Sequence, residues 1–293
     1  MITFKEFLAE GGNATAKYKT ARASAADIKA ALQFVSKVIG VPVETLRNDL
    51  LGSTELTLLG KKKDSGDIDI AFSLEDSDVD TIHAKMLKAV NGEGTFNPGT
   101  KIGSYAVPVN GKKVQVDLMF VKNKDWAKFI YHSSQGDTSA YPGAVRNILL
   151  FTALAHTQEK GKDFVLRDET GNPYARASKS ITLDSGMKRL FKMAKYNEKT
   201  GKYNMTMNTV SPEELEDHLK KMGHNIKFSK ELEHTDDPKQ IVQFIFGKNA
   251  KVEDAKTAEG VIKLIKKLPN AAEIIAAGKR ELERLKLPIP AEL

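Results

Sequence analysis

Along the chain the spacing of apolar and polar positions changes several times, and each change marks an element. From Ser24 to Ile39 the apolar residues Ile28, Ala31, Leu32, Val35 and Val38 recur at helical spacing, and Gly40-Val41-Pro42 stops the helix. Leu46 to Leu51 reads as a strand running into Gly52-Ser53, where a helix begins, and Lys61 to Asp64 is a polar loop. Asp67 to Phe72 alternates as a strand does, and a helix capped by Ser77 or Asp78 follows it to about Val90. Ser104–Val109 and Lys113–Val121 flank Asn110-Gly111, the pair a two-residue type I′ hairpin favours because both central positions need positive φ. Pro108 cannot donate to a ladder and belongs on an edge or at a bulge.

In the second half, Tyr141–His156 is helical with Pro142 in its first turn, and residues 164–183 suggest a second hairpin. Asp184 or Ser185 starts a predicted helix to about Tyr196. From Ser211, which opens a capping box with Glu214, the chain reads as helical to about Leu285. Residues 1–10 form a candidate amphipathic helix with Phe4, Phe7 and Leu8 on one face, ended by Gly11-Gly12. The pattern predicts an α/β (α+β) protein in three parts. A separable helix spans 1–10, a mixed or antiparallel sheet flanked by helices spans 11–157, and a hairpin with a mainly helical region spans 158–293.

Composition narrows the class without changing this picture. With 293 residues, 41% hydrophobic and 28% charged, the chain is of soluble globular type. The absence of cysteine removes disulfides, thiolate zinc sites and cysteine nucleophiles. No apolar run reaches the ~18 residues of a membrane helix, so no membrane partner is expected and the cytoplasm is the expected compartment. The net charge of +7 is uneven: residues 151–210 hold eleven Lys/Arg against six Asp/Glu. Such a surplus favours a polyanion, either nucleic acid or a nucleoside polyphosphate.

The chemistry gathers on the two alternating stretches. Asp67 and Asp69 are two apart on one strand, so their side chains leave the same face, and Asp117 lies between apolar neighbours on another. If those strands are neighbours, three carboxylates converge, and their mutual repulsion calls for divalent cations. Oxygen ligands with open positions suit Mg2+, which completes its shell with water and a substrate's phosphates. Gly52-Ser53, at a strand-to-helix turn, offers small residues and unpaired amides to phosphate. A P-loop reading of the same stretch fails, because Gly52 and Gly60 are too far apart and Lys61 is followed by Lys62 rather than Ser or Thr.

In order and spacing, Leu51-Gly52-Ser53, thirteen residues, Asp67-Ile68-Asp69-Ile70 and then Val116-Asp117-Leu118 resemble the DNA polymerase β-type nucleotidyltransferases, over about residues 40–125. Thirteen is the upper limit of that family's spacing. The resemblance implies a catalytic core in which Asp67 and Asp69 ligate two metals, Mg2+ or Mn2+, and Asp117 ligates one while helping to deprotonate the attacking hydroxyl. It implies that Gly52 and Ser53 hold the terminal phosphates of a nucleoside triphosphate and that a nucleotidyl group is transferred with release of pyrophosphate. Lys61, Lys62 and Lys63 are candidate triphosphate contacts. Lys188, Lys192, Lys195 and Lys199 recur at i, i+4, i+7 and i+11, a basic stripe if that segment is helical. RNA, a host protein and a small molecule all stand open as acceptor, as does a silent, packaged protein that only binds nucleic acid. The six histidines, His218 and His224 included, fit structural roles. Trp126, Phe129, Phe151 and Phe191 fit the core.

The segment Phe4-Lys5-Glu6-Phe7-Leu8-Ala9-Glu10, followed by Gly11, resembles the capsid-targeting peptides of internal head proteins in large tailed bacteriophages. That resemblance implies cleavage after Glu10 by a prohead protease, and delivery from the phage head into the host cytoplasm.

Overall fold

The computed structural model describes residues 14–131, 139–157, 163–182, 186–228 and 234–293. The candidate targeting helix and its cleavage point at Glu10 lie outside them.

Helix α1 (Ala25–Ile39) begins at a reciprocal capping box between Ser24 and Asp27 and ends at Gly40, whose φ of 82° is the left-handed terminus glycine permits. The expected strand at 46–51 is divided. Pro42 starts a short helix, α2 (Val43–Asn48), and only β1 (Leu50–Leu51) is extended. Pro42, at the N-cap with extended ψ, has no N–H for a strand ladder, and Arg47-Asn48-Asp49 interrupt the apolar positions a strand would need. After α3 (Ser53–Leu58) come β2 (Ile68–Ser73), α4 (Val79–Ala89, capped by Asp78), and β3 (Gly94–Asn97), which sequence reading had missed. Strands β4 (Ile102–Val109) and β5 (Lys112–Val121) form the expected hairpin, with Asn110 and Gly111 at φ 47° and 79°.

These strands make one mixed sheet in the order β1-β2-β5-β4-β3, parallel only between β2 and β5. Strand β3 pairs with residues 102–105 of β4, so Pro108 has β5 on one side and no described ladder partner on the other. Side chains from Ile68, Ile70, Val116 and Leu118 pack under α1 and α4. The alternate positions, Asp69 and Asp117 among them, therefore leave the opposite face.

Beyond the sheet, α5 (Lys124–Ile130) and α6 (Gly143–His156) enter a second apolar core containing Trp126 and Phe129, with Phe151 packed at its border. The hairpin β6 (Phe164–Arg167) and β7 (Pro173–Thr182) appears as the sequence suggests. The next element is a correction: the segment read as a helix to Tyr196 is strand β8 (Gly186–Asn197), paired with β7 from Gly186 to Met193. Hydrogen bonding to β7 and to β9 (Lys202–Val210) decides its state, and the helical spacing of its lysines is coincidental. Helix α7 (Pro212–Lys221) starts at the Ser211 capping box. The following region is interrupted by β10 (His234–Thr235), which extends the second sheet on β8, so it is not continuously helical. Helices α8 (Pro238–Phe246), α9 (Ala258–Ile265) and α10 (Ala271–Arg284) complete the core around α6.

The result is a mixed α/β protein with one mixed and one antiparallel sheet and a helical C-terminal stretch. Among the described residues no helix is long and apolar enough to cross a membrane.

Candidate metal centre

Parallel pairing sets Asp69 directly beside Asp117 across β2 and β5, and Asp67 precedes β2 by one residue. One carboxylate oxygen from each of the three lies within 4.8 Å of the other two. Asp117 is only 6% exposed, while Asp67 and Asp69 are half-buried. The structure thus brings together the three carboxylates that sequence reading singled out.

The electrostatics follow from that crowding. Burial raises Asp69 well above the ordinary carboxylate range, and the charges of Asp67 and Asp117 raise it further. Asp117 is pushed up to about 7 by burial and by Asp67, against the hydrogen bonds from Ser104 and Gln115 that favour its charged form. Burial raises Asp67 as well, opposed by the positive charges of Lys62 and Arg22. A donor set of three hard oxygens with this mutual repulsion fits a divalent cation such as Mg2+ or Mn2+.

Gly52 stands against the cluster. Its φ of 60° and ψ of −141° lie in a region essentially reserved for glycine, and a Cβ there would sit 3.4 Å from Asp69 Oδ2. Ser53 opens α3, and its hydroxyl is 2.6 Å from that of Ser65. Of the lysine run, all exposed, Lys62 is the one whose charge acts on Asp67, while Lys62 and Lys63 both act on Asp64. Lys61 donates its backbone N–H to Leu56.

Lys188 and Lys192 lie on β8 in the second sheet, half-buried, with Lys195 exposed farther along and Lys199 in the turn after it. They share a strand, so their spacing makes no helical stripe. His224 Nε2 meets the Tyr174 hydroxyl at 2.9 Å, and buried His218 packs edge-on against Tyr203.

Sequence reading missed the supports of the site. Thr54 Oγ1 donates to Asp67 O and accepts from Asp69 N–H, fixing the backbone that carries both carboxylates. Gln115 donates from one amide nitrogen to both oxygens of Asp117, and its own oxygen accepts from the Thr15 N–H and hydroxyl. Gln115 carried one usable signal: it is two residues from Asp117 on a strand, and so on the same face.

Comparison with known proteins finds no matching family model, no matching curated protein and no matching solved structure.

Proposed function

We propose that the chain is a divalent-metal-dependent nucleotidyltransferase, moving a nucleoside monophosphate from a nucleoside triphosphate to an acceptor hydroxyl. The observation that carries this reading is the triad itself: Asp69 and Asp117 on adjacent strands with Asp67 just before the first of them, one carboxylate oxygen of each within 4.8 Å of the others, beside a glycine backbone that approaches Asp69. The order of these residues, which resembles the polymerase β-type nucleotidyltransferases, supports it.

Mg2+ or Mn2+, when bound, neutralises the carboxylates and the triphosphate and polarises the reacting oxygens. Asp69 would hold it from β2, Asp67 from the residue just before that strand and Asp117 from β5. Asp117, steadied by Gln115 and Ser104, accepts the proton of the acceptor hydroxyl. The hydroxyl oxygen then bonds to the α-phosphorus, and the bond from that phosphorus to its bridging oxygen breaks. Pyrophosphate leaves with the electron pair. Gly52 and Ser53, at the turn against Asp69, would hold the terminal phosphates, and Lys62 supplies positive charge beside Asp67.

The test uses α-labelled triphosphates with Mg2+ or Mn2+ and three acceptor classes: RNA, protein and small hydroxyl compounds. Label is expected on one class with the wild type and on none with Asp67→Asn, Asp69→Asn or Asp117→Asn, each checked for folding by circular dichroism. Transfer persisting in all three variants would overturn the reading.

A further inference from the structure

The five strands of the second sheet hold eight Lys/Arg and no Asp or Glu. Two of these cations face inward and are accounted for. Arg189 pairs with Asp163 at 2.7 Å, both nearly buried, and Lys179 Nζ lies 4.3 Å from the centre of the Phe244 ring. The inward face is defined by the cross-strand row Phe164, Ala177, Phe191 and Val210, which packs on Leu215 and Leu219 of α7.

The adjacent row, Val165, Arg176, Lys192 and Thr209, leaves the opposite face. Four residues before Lys192 on β8, Lys188 repeats that orientation beside Ser180 of β7. Arg176 is exposed and both lysines are half-buried, and among the described residues no carboxylate pairs with any of the three. Arg176 and Lys192 are direct partners, ~5 Å apart, and Lys188 is ~13 Å away along the strand. Between Lys188 and Lys192 the same face carries buried Leu190 beside Ser178. Cations held at these intervals on a hydrogen-bonded sheet match a chain of repeating negative charges better than one phosphate. The exposed large aromatic of this strand, Tyr196, stands four residues beyond Lys192 with its ring 5.1 Å from that of Tyr203, one aromatic pair rather than the apolar band a bilayer anchor needs.

We propose that this outward face of the second sheet, centred on Arg176, Lys188 and Lys192, binds the phosphodiester backbone of a single-stranded polynucleotide. Binding stands independently of catalysis; that the bound strand is also the acceptor rests on the transfer reading.

Full-length protein is titrated into fluorescein-labelled 20-nucleotide single strands, one RNA and one DNA, over a range of KCl. The triple variant Arg176→Gln/Lys188→Gln/Lys192→Gln should bind at least tenfold more weakly at low salt. Its salt slope should fall by about 2, since each phosphate contact on a single strand contributes ~0.7. A control removing equal charge from the exposed end of α9 and the turn after it, Lys263→Gln/Lys266→Gln/Lys267→Gln, should bind like wild type, as should Asp117→Asn. Tighter binding of the RNA identifies RNA as the ligand, and equal binding identifies the phosphodiester chain common to both. The proposal is overturned if neither strand binds, if the control weakens binding as much as the triple variant, if Asp117→Asn abolishes binding, or if only phosphatidylserine vesicles bind. Because no step is catalytic, a silent Asp67/Asp69/Asp117 site would leave these results unchanged.

Discussion

The side-chain amide of Gln115 lies 3.1 and 3.0 Å from the two carboxylate oxygens of Asp117, two residues farther along the same strand. The contact orients the most buried carboxylate of the triad and favours its charged form. Gln115→Ala would remove it and leave Thr15 N–H and hydroxyl without their buried acceptor, at ~1–3 kcal/mol of stability. Transfer should fall ten- to a hundredfold. Gln115→Glu keeps the shape but sets a negative charge against Asp117, so the rising limb of its pH-rate profile should move to higher pH. A profile coincident with wild type would show that Gln115 has no influence on that proton.

The same contact reaches back toward the N-terminus, since Thr15 holds Gln115 from a hundred residues away in sequence. Removing residues 1–10, as cleavage after Glu10 would, spares Thr15 and should leave activity and melting temperature unchanged. Removing residues 1–15 takes Thr15 away and should lower both. Equal behaviour of the two truncations would dismiss the Thr15–Gln115–Asp117 connection as a support of the site.

What could be read from sequence divides along physical lines. Asp67, Asp69 and Asp117 were legible because strand alternation and Asn110-Gly111 are local signals, and both survive in the fold. Strand β8 was not. Its inward face carries Arg189 beside Phe191 and Met193, so buried charge breaks the alternation that marks a half-buried strand, and what remains is the accidental helical spacing of lysines. Strand β9, with Tyr203, Met205 and Met207 against polar alternates, shows the period but is largely exposed and pairs through a register shift at Ala194–Lys195. Thr54 was invisible for another reason: its hydrogen bonds depend on which turn lands beside which strand, and that is settled by tertiary packing, whereas Gln115 had only its shared strand face with Asp117 to mark it.

Gly52 gives a test in which space and backbone strain are separable. A methyl group at Gly52 would meet Asp69 Oδ2 at ordinary contact distance, so bulk alone is tolerable. The backbone conformation is not, and Gly52→Ala should destabilise by ~1–3 kcal/mol and displace the turn facing Asp69. Transfer should drop more than tenfold, with the triphosphate KM rising. Ser53→Ala, which removes the hydroxyl contact with Ser65 and one phosphate hydrogen bond but leaves the backbone unstrained, should be much milder.

The three carboxylates also set how metal-free stability depends on pH. Asp117 is raised to about 7 from an ordinary value near 3.8, so between these limits the folded state binds more protons than the unfolded one. Stability therefore falls as pH rises through this window, by ~1–4 kcal/mol overall, and is recovered on acidification. Melting in EDTA should show a decline from pH 4.5 to 7.5 that Asp117→Asn flattens. Added Mg2+ should raise the melting temperature at pH 7.5 and have little effect at pH 4.5, where protons occupy the ligands. A Mg2+ shift of equal size at both pH values would place the ion elsewhere.

Arg146 tests the second core. This α6 side chain is 1% exposed, its guanidinium 4.1 Å above the Phe129 ring, and it donates to Phe129 O at 2.9 Å and to Ala255 O at 2.8 Å. Its neighbour Asn147 donates to Ile130 O, so two consecutive side chains satisfy carbonyls that the end of α5 leaves open. Burial lowers the Arg146 pKa to about 9, so the group remains a cation at neutral pH although its bonded acceptors are uncharged oxygens. Arg146→Ala would strip two buried carbonyls of their donor and open a cavity beside Phe129, at ~2–5 kcal/mol. Arg146→Lys retains charge but lacks the planar fork that reaches both carbonyls, so it should recover less than half of that loss. Urea unfolding of the three proteins checks the order wild type, then Lys, then Ala. If Lys matched wild type, the charge and not the forked geometry would be what joins α5 and α6 to the turn at Ala255.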